Sequence, residues 1–441
     1  MRFYPMHTLA TLLAALTCGM AATAHAKIVF ESKQPQQEEP APSHCDSYTG
    51  PAGVVLHHFR GVLHEHTKYS DGNVKSMPGD VFRAGRDNGL DFANSSDHSD
   101  VLNRLLPISV GDGCIESPSD MAGCLVPDNG DLNRWKASGQ QAAMSTTADF
   151  LAIRGFEWTN DRLGHINVYF SSNFLNAKLD PEYLTSQGAK RFYQWLQRDP
   201  GQETLAGVGM AGGGGDGLAV FNHPGDKCLL GTEDAACNWN QFAYVPGADQ
   251  QMVGMELFNG GRDPAFPDYY MQALDAGWHV GAVGAEDRHN TTWAQPQYPK
   301  TVILAETLTP QGFKEAMLAR RMYALVSNKP GEDVRISLDA EGHPMGSRLR
   351  CDAGARVVIS VSVTLRSGEA FNGLLRLYDH ANPDVPFAAG GYGEPLATAA
   401  GDSLHHELTV PDQGERWFFV RIDDPSGQSL AYTSPVWIAP R

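Results

Sequence analysis

Residues 61–98 read GVLHEHTKYSDGNVKSMPGDVFRAGRDNGLDFANSSDH. Gly61–His66 and Asp91–Asp97 are apolar-led runs that read as strands. Pro78–Asn88 between them reads as a helix, with proline near its start and Gly89 just past its end. Side chains alternate along a strand, so His64 and His66 face the same way and can hold one metal ion. Asp71-Gly72 ends the first run in a turn that can aim a carboxylate back at that ion. The second strand ends in Asp97-His98. Strand, helix, strand with His and Asp at both strand ends puts chemistry where α/β folds gather it, at the carboxyl ends of strands.

The same arrangement recurs downstream. Gly155-Phe156-Glu157-Trp158 ends an apolar strand in a carboxylate, and His165 opens the next, Gly164-His165-Ile166-Asn167-Val168-Tyr169. His223 ends Val220–His223, where Pro224 stops the strand. Asp287 and His289 follow the apolar run His279–Gly284. One such histidine is ordinarily structural; a succession of strand ends carrying His with Asp or Glu is a metal site. Mixed His and carboxylate donors suit Zn, Mn or Fe better than Ca or Mg alone. The donors are too many for one ion, so two or three divalent ions are expected. Such clusters acidify a bound water and clamp attacking and leaving oxygens, which predicts hydrolysis with a metal-bound hydroxide as nucleophile. Arg162, Arg262 and Arg288 lie beside these motifs, either to hold a phosphate or carboxylate or as ordinary ion-pair arginines. Asp97, Arg162 and Arg288 are the candidate catalytic residues. Glu256 is either a supporting carboxylate or an ordinary buried one. Trp158, Trp278 and Trp293 either wall the pocket or pack the core.

Around the site, strand and helix patterns alternate over residues 53–329, which predicts a parallel α/β sheet or barrel. Val220–His223, Met252–Leu257, His279–Gly284 and Thr301–Ala305 read as strands, Pro267–Ala276 and Thr309–Arg320 as helices. Residues 106–147 and 208–218 read as long loops. The glycine run at 211–217 lacks the Lys-Ser/Thr of a phosphate loop. From 330 to 441 the pattern becomes an all-β sandwich, with strands at Arg356–Leu365, Leu374–Tyr378, Leu404–Val410, Trp417–Ile422 and Ala431–Ile438. His405-His406 reads as a solvated strand pair.

The first 26 residues read as a secretory signal: Arg2, the apolar stretch Leu9–Ala22, then Ala24-His25-Ala26 as a small-x-small cleavage site. The stretch is shorter than the roughly 20 residues a membrane anchor needs. A flexible tether over 27–52 follows, and the chain is expected to be periplasmic or secreted, free of the membrane after cleavage. Of seven cysteines, Cys18 leaves with the signal. The rest suit disulfides: Cys114/Cys124 and Cys228/Cys237 bracket short loops, leaving Cys45 and Cys351 as a long-range staple. A formal net charge of −17 without a Lys/Arg cluster argues against nucleic-acid binding.

The order His-x-His, Ser-Asp-Gly, Asp-His, Glu, His, His-Pro, Asp-x-His resembles the polymerase-and-histidinol-phosphatase (PHP) superfamily. The tight Gly155-Phe156-Glu157-Trp158 to Gly164–Val168 spacing is similar to its carbaryl-hydrolase-like CehA/McbA branch. The resemblance spans about residues 54–330. It implies a distorted (β/α)7 barrel with up to three metals, held by His64, His66, Asp71, His98, Glu157, His165, His223, Asp287 and His289. By this resemblance one ion takes His64, His66, Glu157 and Asp287; a second takes Glu157, His165 and His223; a third takes Asp71, His98 and His289. Asp97 would orient a ligand imidazole or a strand end. Ser96-Asp97-His98 replaces the usual Thr-Asp-His, and Arg288 stands between two ligands. The implied activity is a phosphomonoesterase or phosphodiesterase on a small phosphorylated substrate. A carboxylester or carbamate hydrolase with the same metals, and a non-catalytic metal-binding surface protein, are the alternatives. The insertions 106–147 and 225–247 are where substrate choice is expected to lie.

Overall fold

Apolar runs with no polar alternation must be buried on both faces, and in the computed structural model they curl into one sheet. The structure describes residues 45–47, 53, 55–102, 134–202, 212–261, 266–379 and 394–441, all within the compact unit His44–Arg441. The signal segment, most of the tether, Cys114, Cys124 and Arg262 lie outside the described residues.

Around the curl the strands run His57–Val62, Phe92–Ser95, Leu151–Asn160, Gly164–Tyr169, Leu218–Asn222, Met252–Asn259 and Gly281–Ala285. The first three are parallel, as are the last three. The first and last of the seven meet beyond their ends, where Glu65 bridges Arg288 in parallel. There His66 N donates to Arg288 O at 3.0 Å and Asp287 N donates to His64 O at 2.9 Å. Lower down, Lys300–Ala305 pairs antiparallel with His57–Val62, and the Thr301 hydroxyl ties it to Gly284 by donating to its carbonyl and accepting from its amide.

An unbroken seven-fold strand–helix repeat is not what the described residues display. Gly164–Tyr169 runs antiparallel to both neighbours and follows Asn160 after a short turn, with no helix between. The helices that do flank the sheet are Pro78–Asp87, Arg134–Ser145, Gln187–Leu196, Phe266–Asp275 and Pro310–Leu318. Pro78, Val81, Phe82 and Gly85 form the buried stripe of the first, the spacing of an amphipathic helix. Arg134–Ser145 corrects the loop expected over 106–147. Its buried face is Trp135 followed by Ala137, Ser138, Gln141 and Ala142, and those last four, small or polar, carry little apolar periodicity. Gln141 is satisfied there by Gly79 N and the Tyr69 hydroxyl, both at 2.8 Å.

After Leu318 the described residues form strands and turns only. Val334–Ala340, His343–Pro344, Arg356–Leu365 and Ser403–Thr409 make a four-stranded sheet. Val357, Ile359, Val361 and Val363 are its buried face, alternating with more exposed neighbours, as a half-buried strand requires. The other C-terminal strands continue the large sheet, because Met322–Leu325 pairs with Lys300–Ala305 on one side and Ser429–Thr433 on the other. The single strand expected over Ala431–Ile438 is two, Ser429–Thr433 and Val436–Pro440. They are split at Ser434-Pro435, where the Ser434 hydroxyl donates to Met322 O and accepts from Ala282 N. Within the stretch expected as tether, Cys45–Ser47 is a strand on Arg348–Cys351, fixed by the Cys45–Cys351 disulfide. Cys228–Cys237 is also paired. Among the described residues no helix is long and apolar enough to cross a membrane.

A charge triad, buried at His279 and Asp249 and open to solvent at Glu415, joins the ring strands to the C-terminal strands of the same sheet. His279 Nδ1 lies 2.7 Å from Asp249 and Nε2 2.6 Å from Glu415, with Arg348 at 3.8 and 3.6 Å from the same carboxylates and the Arg320 guanidinium on the His279 and Asp249 carbonyls. Burial alone depresses an imidazolium, but the two carboxylates outweigh it and raise the His279 pKa. Burial likewise opposes ionisation of Asp249 and Glu415, yet His279 holds both below the usual carboxylate range. The histidine contribution is complete below its unfolded pKa of about 6.5 and fades as pH rises through the folded value. The carboxylate contribution is present above about 4 and lost on acidification. The His279→Gln chain is therefore expected to unfold with roughly 1–3 kcal/mol less stability, the buried Asp249 pair contributing most and the solvent-screened Glu415 pair little. The gap should be widest near pH 5–6 and narrower in alkali, as read by denaturant titration across pH. A pH-independent gap would refute the ionic account.

Candidate metal centre

Strand ends bring all the expected ligands to one rim. His64 and His66 extend past their strand on the backbone bridge to residues 287–288, and both side chains are fully buried. The turn that carries Asp71 folds back tightly, with Gly72 N donating to Thr67 O at 2.9 Å. A Cβ at Gly72 would come within 2.7 Å of the His66 carbonyl, so only glycine fits that approach. His223 and Asp287 sit at φ of 27° and 52°, a left-handed backbone that costs non-glycine residues about 1–3 kcal/mol each. Strain of this kind collects at functional positions.

Glu157 is the hub. Its Oε1 lies 3.2 Å from His64 Nε2, 3.1 Å from His165 Nδ1 and 3.2 Å from His223 Nε2. Its Oε2 lies 2.8 Å from His98 Nδ1 and 3.6 Å from His66 Nε2. Asp287 Oδ1 is 3.5 Å from His64 Nε2 and 3.2 Å from His66 Nε2, and the two imidazole Nε2 atoms are 3.0 Å apart. Donor atoms around a tetrahedral ion with bonds of about 2.0–2.1 Å sit roughly 3.3–3.4 Å from one another, and His64 and His66 stand at about that spacing from each other, from Glu157 and from Asp287. Sets whose donor atoms all lie within 4.8 Å are His66, Asp71, His98 and His289; His64, His66 and Glu157; His64, His223 and Asp287; and His98, Glu157 and His165. The expected grouping of Asp71, His98 and His289 is thus together, joined by His66. His223 gathers with His64 and Asp287, while its distance to Glu157 also leaves it beside His165.

Several buried polar atoms of the cluster have no hydrogen bond: Glu157 Oε2, both ring nitrogens of His165, His223 Nδ1 and Asp287 Oδ1. Each such orphan costs about 1–3 kcal/mol unless something answers it, and divalent cations answer this donor set. Electrostatics agree. Burial works against a charged Glu157 and Asp287, but the facing imidazoles hold both well below the carboxylate range. His289 and His98 do the same for the less buried Asp71. Reciprocally, against the penalty of burial, the carboxylates raise His64, His223 and His289, and His98 to about 10. His66 goes the other way, lowered by burial and then by His98.

Glu256, a supporting carboxylate as one sequence reading had it, receives His64 Nδ1 at 2.7 Å and the amide of His223 at 2.8 Å. That leaves His64 Nε2 for the cluster, the carboxylate–histidine arrangement that orients metal ligands. Asp97 touches no imidazole. It accepts from Thr67 N, Thr67 Oγ1, Ser70 Oγ and Ser95 Oγ at 2.7–3.0 Å, so it pins the start of the Asp71 turn. Below the ligands, buried Lys300 donates to Glu286 at 2.6 Å and to three loop carbonyls. Asn222, not singled out in the sequence, donates to Glu157 Oε1 at 2.8 Å; its place next to His223 at a strand end was the available signal. Arg162 and Arg288 do not converge on the site. Arg162 holds Asp234 and the Leu184 carbonyl, and the Arg288 guanidinium lies 3.5 Å over the Tyr298 ring. Trp158, Trp278 and Trp293 are buried in the core.

No protein-family profile matches the chain, and no curated protein matches it. Among solved structures it is similar to a two-domain protein containing a predicted PHP-like metal-dependent phosphoesterase from Bacteroides vulgatus. That likeness has 18% identity and a TM-score of 0.39, and covers 86% of this chain and 95% of that one. It is also similar, more remotely, to the endo-beta-1,4-mannanase from Thermotoga petrophila, at 9% identity and a TM-score of 0.21 over 87% and 98% of the two chains. Neither likeness bears on activity at that distance.

Because the imidazoles raised by their carboxylates must deprotonate to coordinate, ion uptake is expected to release protons and to weaken as pH falls. Calorimetric zinc titration of the chelator-treated chain near pH 7.5, in buffers of different ionisation heat, should show this and at least two ions per chain. Glu157→Gln should bind at least one fewer. Unchanged stoichiometry in that variant would remove Glu157 from the hub.

Proposed function

We propose that the chain is an exported metal-dependent hydrolase of the PHP kind, acting as a phosphomonoesterase or phosphodiesterase on small organic phosphates. The observation that carries this reading is the convergence of buried histidines on the single carboxylate of Glu157, with Asp287 facing the same His64 and His66 and with unanswered donor atoms between them. His64, His66, Glu157 and Asp287 would hold one ion, Glu157 with His165 and His223 a second, and Asp71, His98 and His289 a third. Such ions supply Lewis acidity and bring a water's pKa near neutrality when bound.

The residues of the chain do the rest. Glu256 fixes the His64 tautomer and the His223 backbone, so two ligands on different strands keep one geometry. Thr159 Oγ1, 2.8 Å from His98 Nδ1, accepts its proton and leaves Nε2 facing Asp71. Asp97 clamps Thr67 and Ser70 and so sets where the Asp71 carboxylate stands.

The cavity over the cluster, about 340 Å³, favours a phosphate ester over an aryl carbamate. Among the described residues lining it, Val101 is the one aliphatic side chain, and the rest are hydroxyls, carboxylates, imidazoles and two lysines. Among the described residues no apolar wall of the kind an aryl carbamate site needs lines the cavity, and Trp158, Trp278 and Trp293 are buried in the core. A purely structural metal site would not need so open a polar cavity, nor two strained ligands. Export is supported by the two disulfides, which persist in oxidising compartments.

The test is a parallel assay of a phosphomonoester, a phosphodiester and an aryl carbamate with the metal-loaded full chain, before and after chelation. Phosphate release that chelator abolishes and metal restores is expected, and Glu256→Gln should lower metal affinity or activity by about 10–100-fold. Carbamate turnover alone would install the alternative hydrolase, and a loaded chain that turns over none of them would favour a binding role.

A further inference from the structure

The sequence offered Arg162, Arg262 and Arg288 either as anion holders or as ordinary ion-pair arginines; Arg162 and Arg288 are engaged elsewhere, and Arg262 lies outside the described residues. Among the described residues, the lysine and arginine side chains that line the cavity are Lys178 and Lys227. They arrive from separate segments, and each segment is fastened. Lys178 stands in the short turn Ala177–Leu179, where Asn176 Oδ1 accepts from its amide at 3.0 Å and Asn176 Nδ2 donates to Asp100 O at 3.3 Å. Lys227 follows the ligand His223 on a loop held at several points. Gly225 N donates to Asn238 Oδ1 at 2.7 Å. Leu229 N donates to Asp161 O at 2.8 Å. The Cys228–Cys237 disulfide pins the residue that follows Lys227, and Arg162 clasps Asp234 within the segment it closes.

Each ammonium rests on an aspartate, Lys178 on Asp100 of the cavity lining at 2.9 Å and Lys227 on the neighbouring Asp226 at 3.0 Å. Their side chains are 42% and 43% exposed. Exposed pairs of this kind contribute little, so an arriving anion can take either lysine from its aspartate at small cost. The chain as a whole carries −17, and an anionic substrate must be drawn in locally against that field. The ligand cluster serves the scissile phosphate, and the cavity extends beyond it to the two lysines.

Resting on the phosphoesterase reading, we propose that Lys178 and Lys227 form the recognition edge for a second acidic group on the substrate. The site then takes organic phosphates that bear a further carboxylate or phosphate in preference to simple phosphate esters. Lysine suits this role as a mobile point charge that accepts several anion geometries.

Equilibrium binding to the metal-loaded full chain separates this claim from catalysis. The probes are benzylphosphonate and 4-carboxybenzylphosphonate, which differ only in the second acid and cannot be hydrolysed. The wild-type chain is expected to prefer the carboxylated probe by about tenfold or more, the scale of one charge-assisted contact. Replacing both lysines, Lys178→Met with Lys227→Met, should shrink the preference below about threefold with metal content unchanged. Lys178→Arg with Lys227→Arg should keep it. Equal binding of the two probes by the wild type, or a preference intact in the methionine variant, overturns the proposal. Turnover of phenyl phosphate and 4-carboxyphenyl phosphate is measured alongside. Hydrolysis of neither sinks the phosphoesterase reading while the binding data still decide the lysines; hydrolysis of both with the same KM in wild type and methionine variant overturns the lysines alone.

Discussion

A carboxylate buried completely among imidazoles is the constraint on which the rest of this molecule depends. Glu157 has no solvent to stabilise its charge, so its neighbours must supply positive charge as imidazolium protons or as metal ions. That requirement fixes which strand ends have to meet. It also explains why the surrounding hydrogen bonds end on ligands: Glu256 behind His64, Thr159 behind His98, Asn222 on Glu157 itself. Each leaves a donor atom directed inward, and none closes the network.

The backbone meets the same need from outside. Strands of a curled sheet can end anywhere, yet here the first and last of the ring are joined past their ends by a bridge between Glu65 and Arg288. The joint lies between His64 and His66 on one side and next to Asp287 on the other, so closure of the sheet and assembly of the site are one event. The antiparallel strand Gly164–Tyr169 has a similar logic. Following Leu151–Asn160 by a tight turn, it returns His165 to the face of Glu157, which a helical crossover would carry out of reach.

Much of the site was legible because its signal is local: His-x-His alternation, and a polar residue at the end of an apolar run. The strand runs around it were legible for the same reason, and most were placed to within a few residues. What escaped depends on partners distant in sequence. Arg134–Ser145 buries Ser138 and Gln141 where periodicity demands apolar side chains, and the Trp135 carbonyl at Ser138 and Tyr69 with Gly79 at Gln141 make that burial tolerable. Met322–Leu325, too short to announce itself, is a strand because two others sandwich it. Arg162 and Arg288 sit beside ligand motifs in sequence, but proximity along the chain says nothing about where a long side chain finds its counter-charge, and Asp234 and Tyr298 claimed them. Lys227 lies in what reads as an insertion, and its relation to the cavity appears only once the disulfide loop is folded.

The strand Met322–Leu325 also governs how the C-terminal part can be treated. It pairs with the ring sheet on one side and with Ser429–Thr433 on the other, so the all-β region is hydrogen-bonded into the sheet that bears the metal ligands. A chain ended near residue 329 would strip one side of that strand and leave a row of unpaired amides and carbonyls beside fully buried apolar residues. That is the kind of open edge that recruits other chains. The C-terminal strands therefore act as a cover that keeps the ring sheet from growing by self-association, whatever else they bind.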